Sequence, residues 1–241
     1  MNLDHFKQNR IKGRDILQQK IVEVFKNLNP VAIHQFGSGS YGYKDEFSDL
    51  DIWVTFDDKD IGQIILMQDK IFKSLGTILI KHKSKKNSPL GGSATLIIYE
   101  TEYGLFHIDF YLSKLSETII KKDAKVLFGS DALPRGEWKL SPKEVERKSL
   151  KKVITYLIVM SFIFIKGVIR KWDAPELIDI IQKRYIFVEE KSGQKLASLP
   201  AKISFNLIYR LLKNLYPLAN TKQRLAIEKI KDYATTVKRL Y

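Results

Sequence analysis

Two aspartates flank one apolar residue in Asp49-Leu50-Asp51, at the head of the alternating run Leu50 to Phe56. On a strand, residues i and i+2 point to the same face, so Asp49 and Asp51 converge while Leu50 and Ile52 point into a core. Two carboxylates that close repel unless a cation sits between them, and Mg²⁺ held by one or two carboxylates and by phosphate oxygens is the usual neutralisation. Upstream lies Gly37-Ser38-Gly39-Ser40, with ten residues between Ser38 and Asp49. Glycine there lets the backbone approach an anion, and backbone N–H groups and the Ser38 hydroxyl can donate to phosphate oxygens; Ser40 belongs to the same run. A third carboxylate, Asp109, stands in the alternating segment His107-Ile108-Asp109-Phe110-Tyr111. If that strand pairs beside the first, three carboxylates can hold two metal ions, activating an attacking hydroxyl and stabilising a leaving pyrophosphate. His107 shares the face of Asp109 and reads as a packed or solvent-facing residue. Asp57, Asp58 and Asp60 read as a strand end and helix cap.

These residues need a scaffold, and the hydrophobic periodicity supplies one. Residues 3 to 28 form an amphipathic helix ended by Asn29-Pro30. Strand-like runs follow at Val31 to Phe36, Leu50 to Phe56, Thr77 to Lys81, Ala94 to Glu100 and Leu105 to Leu112, with a helix over 61–75. After Leu115 the pattern becomes helical, at 116–128, 142–171, 175–190, 201–215 and 221–240. Ser141-Pro142-Lys143-Glu144 carries the N-cap, first-turn proline and Glu of a capping box. The expected fold class is therefore α+β: an N-terminal mixed β-sheet with helices over 1–115, then a C-terminal helical bundle over 116–241.

With 241 residues, 44% hydrophobic and 28% charged, the chain has the composition of an ordinary globular protein. The absence of cysteine excludes disulfides, thiolate zinc sites, iron–sulfur clusters and cysteine nucleophiles, which leaves carboxylates and four histidines for any metal. The net charge of +14 suggests an anionic partner. It is unevenly placed: residues 1–115 hold 15 basic and 14 acidic side chains, and residues 116–241 hold 26 and 13. The apolar stretch Val153 to Ile169 contains Lys166 and falls short of the about 20 residues of a membrane span, so it reads as a buried helix. No apolar run of signal-peptide type opens the sequence, and a cytoplasmic location without membrane contact is expected.

Gly37-Ser38, the ten-residue spacer, Asp49-Leu50-Asp51 and the later strand-borne Asp109 resemble the signature of the DNA polymerase beta superfamily of nucleotidyltransferases. The match covers about residues 30 to 112 and implies the nucleotidyltransferase fold of that superfamily. Size and the helical second half are most similar to the small aminoglycoside and lincosamide nucleotidyltransferases of antibiotic resistance, and Lys125 to Leu133 resembles a segment that follows the catalytic domain in some of them. The resemblance implies Mg²⁺-dependent transfer of a nucleoside monophosphate from an NTP, with ATP the expected donor, to a hydroxyl of a small-molecule acceptor such as an antibiotic. Asp49 and Asp51 would ligate the nucleotide-bound metal, Asp109 would be a metal ligand or a base near the acceptor, and Gly37, Ser38 and Ser40 would hold the triphosphate. Glu144 and Lys148, one helical turn apart, are the corresponding candidates for general base and phosphate contact, although a capping box also accounts for Glu144. Two alternatives stay open: a nucleic-acid acceptor such as a tRNA end, favoured by the basic second half, and an inactive nucleotide-binding module.

Overall fold

The computed structural model describes residues 2–37, 45–85, 87–137 and 149–241. It forms two compact units that divide between Glu146 and Arg147. The first is an α+β unit. Helix α1 (Leu3–Lys26) leads into strands β1 (Ala32–Phe36) and β2 (Leu50–Phe56), helix α2 (Ile61–Leu75), and strands β3 (Thr77–Lys83), β4 (Ser93–Thr101), β5 (Gly104–Lys114) and β6 (Lys125–Gly129). The six strands make one mixed sheet in the order β3-β4-β5-β2-β1-β6, in which β2 and β5 run parallel and the other neighbours antiparallel.

Alternation along the two central strands decides the layers. Leu50, Ile52, Val54 and Phe56 of β2 and Ile108, Phe110 and Leu112 of β5 pack under Leu17, Ile21 and Phe25 of α1 and Ile64, Ile71 and Phe72 of α2. Each such side chain contributes about 1.5–3 kcal/mol by leaving water. The approach of α1 depends on Gly13, where a Cβ would collide with Tyr103 and Phe106. On the other face Ala32, Phe36, Trp53, Ala94 and Tyr111 pack with Ile120, Ala124 and Leu133 from the segment after β5.

That segment corrects one expectation. Residues 116–128 are not helical: a 3-10 turn at Leu115–Glu117 is fastened by Asp58, which accepts from the Ser116 N–H and hydroxyl, and β6 then pairs antiparallel with β1. Val126, Leu127 and Phe128 suit a strand, and their pairing covers the edge that β1 would otherwise leave open. The sheet thus continues beyond residue 115.

The second unit is helical, with α3 (Leu150–Ile169), α4 (Pro175–Ser192), α5 (Phe205–Leu215) and α6 (Thr221–Leu240). α3 packs against the other three. Its N-cap is Ser149, whose hydroxyl accepts from the Lys152 N–H; the start expected at Ser141-Pro142 lies outside the described residues. Ser204 caps α5, whose first residue Phe205 lies four residues after the expected helix start, and Asn220 with Gln223 forms a capping box on α6. At 20 residues α3 is long and apolar enough to cross a membrane, contrary to the shorter run counted in the sequence, but 61% of that apolar window is buried among its neighbours, as in a core helix.

One buried group carries a pH dependence. His34 on β1 is fully buried, and neither ring nitrogen has a hydrogen-bond partner among the described residues. Burial, and then the positive charge of Arg135, lower its pKa, against a weaker opposing pull from Asp131. The folded state therefore keeps the ring neutral while the unfolded chain protonates near pH 6.5. Stability is retained above about pH 6.5 and falls as pH drops below it, by at most about 1.4 kcal/mol per pH unit for one proton. Urea denaturation of the protein and of His34→Leu between pH 8 and pH 5 is expected to show that this component of the slope disappears in the variant.

Candidate active site

The site is built by register. In the parallel β2–β5 pair Asp51 stands opposite Asp109, and Trp53 opposite Tyr111. Neighbouring strands lie about 4.8 Å apart, so the two carboxylates emerge side by side on the face away from α1 and α2. Asp49, one residue before β2, is drawn to the same place by His107. The His107 Nε2 lies 3.2 Å from Asp109 Oδ1, and its Nδ1 lies 3.3 Å from Asp49 Oδ1. The Nε2 contact is a hydrogen bond, whereas the Nδ1 approach is an ion-pair contact without hydrogen-bond geometry. The imidazole is 3% exposed, against 19% and 23% for Asp49 and Asp109, so it lies beneath carboxylates that reach the surface. Burial alone would depress its pKa, but Asp109 and Asp49 outweigh that, and the pKa is pushed up to about 10. His107 is thus an imidazolium clamped between two aspartates.

Aromatic packing fixes the strands that carry these groups. Trp53 stacks on Tyr111 with ring centroids 5.6 Å apart, Phe36 packs against both, and the Trp53 Nε1–H donates to Ser113 Oγ at 2.6 Å. The Tyr111 hydroxyl is held protonated by burial and by the charges of Asp109 and Asp51. Gly37 follows Phe36 with φ +71°, and a Cβ there would land on Asp51 Oδ2. Only glycine combines that left-handed backbone with so close an approach to the carboxylate.

The approach to β2 is anchored from α1. Asp45 Oδ1 accepts from the Phe47 N–H and the Ser48 hydroxyl, which folds 45–48 into a turn. Arg14 donates to the Asp45 carbonyl at 2.7 Å, and Arg10 donates to the carbonyls of Glu46 and Leu105 while lying over the Phe106 ring. Both arginines are 3% exposed. Sequence reasoning did not find them. Their signal was two arginines four residues apart on the apolar stripe Phe6, Arg10, Arg14, Leu17, Ile21.

Of the candidates read from the sequence, Gly37, Asp49, Asp51 and Asp109 come together on one face, and His107, expected to be merely packed or solvent-facing, lies among them. Ser38, Ser40, Glu144 and Lys148 lie outside the described residues. Lys151 and Lys152 are exposed in the first turn of α3, in the helical unit. Among the described residues no three acidic or histidine side chains converge as a ready metal cage, and His107 engages one oxygen each of Asp49 and Asp109. The donor chemistry nonetheless fits a hard divalent ion. Asp51 and Asp109 offer carboxylate oxygens from paired positions, and Gly37 leaves the space beside Asp51 Oδ2 without a side chain.

No family model matches the chain, and no curated protein matches it. A solved structure similar to it is that of a STING-associated CdnE c-di-GMP synthase from Capnocytophaga granulosa, at 13% identity over 98% of this chain and 81% of that one, with a TM-score of 0.34. A likeness at that level carries no argument, and the geometry above has to stand alone.

Removing the cation from this cluster leaves two carboxylates facing each other over an apolar floor. His107→Leu is expected to destabilise the unit by about 3 kcal/mol in urea denaturation. Asp49→Asn introduced into His107→Leu should recover a substantial part of that loss, because the pair repels only while both carboxylates are charged.

Proposed function

We propose that the chain is a nucleotidyltransferase that moves a nucleoside monophosphate from an NTP to a hydroxyl of a small-molecule acceptor, with release of pyrophosphate. The observation that carries this is the in-register pair Asp51 and Asp109, with Asp49 tied to the same face and Gly37 set against Asp51. Carboxylates held side by side with a glycine turn beside them form a cation and phosphate site, and a merely solvated strand end would not need the His107 clamp. The motif resemblance to the antibiotic nucleotidyltransferases supports an antibiotic-like acceptor. The basic second half speaks for an acceptor of low positive charge, such as a lincosamide, over a polycationic aminoglycoside. A cytoplasmic setting, where NTPs are available, belongs to the same proposal.

In this mechanism Asp51 and Asp109 would hold the divalent ion, with Asp49 as the third carboxylate of the set. Bound there, Mg²⁺ would neutralise charge on the phosphates and lower the pKa of the acceptor hydroxyl. His107 keeps Asp49 and Asp109 aligned through their Oδ1 atoms, which leaves Asp109 Oδ2 to bind the ion or to take the acceptor proton. Gly37 lets the backbone approach the triphosphate without a side chain in the way. The acceptor oxygen bonds to the α-phosphorus, the bond to the bridging oxygen breaks, and pyrophosphate departs with the electron pair. Catalysis then rests on positioning and charge neutralisation.

The test is incubation with Mg²⁺, each NTP in turn, and a panel of lincosamides, aminoglycosides and bulk tRNA, followed by pyrophosphate release and acceptor mass. A small acceptor should gain the mass of one NMP, and Asp51→Asn and Asp109→Asn should each slow transfer by about 100-fold or more. Label entering tRNA and none of the antibiotics would overturn the small-molecule assignment. Equal rates in the protein and Asp51→Asn would overturn the carboxylate mechanism, and no transfer to any acceptor would leave the binding-module alternative standing. Gly37→Ala should lose activity together with about 1 kcal/mol or more of stability, since the new Cβ is strained by the left-handed backbone and meets Asp51.

A further inference from the structure

A pocket of about 420 Å³ opens within the helical unit, between the face of α5 that carries Tyr209, Leu212 and Lys213 and the face of α6 that carries Ile227, Glu228 and Lys231, with Tyr216 just beyond α5. Its construction is specific. Leu212 and Ile227 are almost fully buried, so its accessible apolar wall is made by Tyr209 and Tyr216. Both tyrosines reach across to α6: the Tyr209 hydroxyl lies 3.2 Å from Thr235 Oγ1, and the Tyr216 hydroxyl donates to Glu228 Oε1 at 2.7 Å. Glu228 thus accepts a hydrogen bond and keeps its negative charge. Lys213 and Lys231 on the two rims are exposed and make no ion pair among the described residues. Outside the pocket, Lys238 stands over the Tyr209 ring and Arg224 over the Tyr216 ring, so the surroundings add further positive charge.

This combination selects a ligand class. Two phenol rings take a flat apolar body, and volumes of about 300–1,000 Å³ are those of small-molecule sites. Lys213 and Lys231 of the lining, with Lys238 and Arg224 beside it, outnumber Glu228, so the polar part of the ligand is an anion held by charge-assisted hydrogen bonds. We propose that this pocket binds a small planar aromatic anion, an aryl phosphate or aryl carboxylate, with its ring against Tyr209 and Tyr216 and its charge between Lys213 and Lys231. The proposal stands independently of the carboxylate site on the sheet.

The probe is 1-naphthyl phosphate, titrated into the full chain and followed by ligand fluorescence and by NMR of ring-labelled tyrosines, with Tyr209→Phe and Tyr216→Phe used to assign those two residues. Saturable binding that shifts Tyr209 and Tyr216 is expected. Lys213→Ala/Lys231→Ala should weaken it by about tenfold or more, and these exposed positions spare the fold. Neither inorganic phosphate nor neutral 1-naphthol should compete effectively at equal concentration. Unchanged affinity in the double variant, shifts confined to other tyrosines, or inorganic phosphate competing as well as the aryl ester would each overturn the proposal. Loss of transfer activity in Asp51→Asn with naphthyl phosphate binding intact would leave it in place, so its fate separates from that of the nucleotidyltransferase assignment.

Discussion

The parallel pairing of β2 with β5 sets the terms for everything around it. Its register puts Asp51 opposite Asp109, and like charges at paired positions destabilise a sheet. The cost is accepted because the same register buries Leu50, Ile52, Ile108 and Phe110 beneath α1 and α2. A slip of one residue would send the aspartates into that apolar layer and the isoleucines to the surface, so the core itself locks the acidic pair in place. Trp53 stacked on Tyr111, the next residues along the same face, adds a second lock two positions from the charges.

The remaining electrostatic problem is solved by a histidine, and its shape explains why. The two nitrogens of an imidazole diverge, so one planar ring can face Asp49 on one side and Asp109 on the other while staying buried. A lysine presents one mobile charge on a long stem, and an arginine's fork is shaped for bidentate pairing with a single carboxylate. The ring takes one oxygen from each partner and leaves the other oxygens directed elsewhere. A clamp of this kind neutralises the cluster from below and keeps its outer surface acidic, which is the condition a cation and phosphate site requires.

What could be read from the sequence divides along the range of the interactions involved. Strand alternation, helix periodicity and capping residues are local, and outside 116–128 the described strands and helices appear where the pattern puts them, with boundaries moved by a few residues. The link from His107 to Asp109 was visible as i, i+2 spacing. Its second contact, to Asp49, depends on the β2–β5 register, which no local pattern specifies. β6 was missed for the same reason: Val126, Leu127 and Phe128 fit either a strand or a buried helix turn, and only the open edge of β1 decides between them. Arg10 and Arg14 interrupt the apolar stripe of α1, and only their partners, backbone carbonyls across the fold, explain why they are buried there. The pocket between α5 and α6 was equally hidden, since the tyrosine contacts that line it join two helices.

Locating the charges also changes what the composition means. In residues 1–115 acidic groups gather at one face, while Arg10 and Arg14 are spent inside the unit on carbonyls and His107 on carboxylates. The excess in the second half is held differently. There Lys213 and Lys231 stand on pocket rims, and Arg184, Arg224 and Lys238 lie over tyrosine rings, which stabilise a cation without cancelling its charge. Positive charge kept near aromatic surface favours ligands that offer an anion and a flat ring together. A free phosphate or an unstacked backbone satisfies only half of that arrangement. The net charge of the chain therefore predicts less about its partners than the pairing of each cation does.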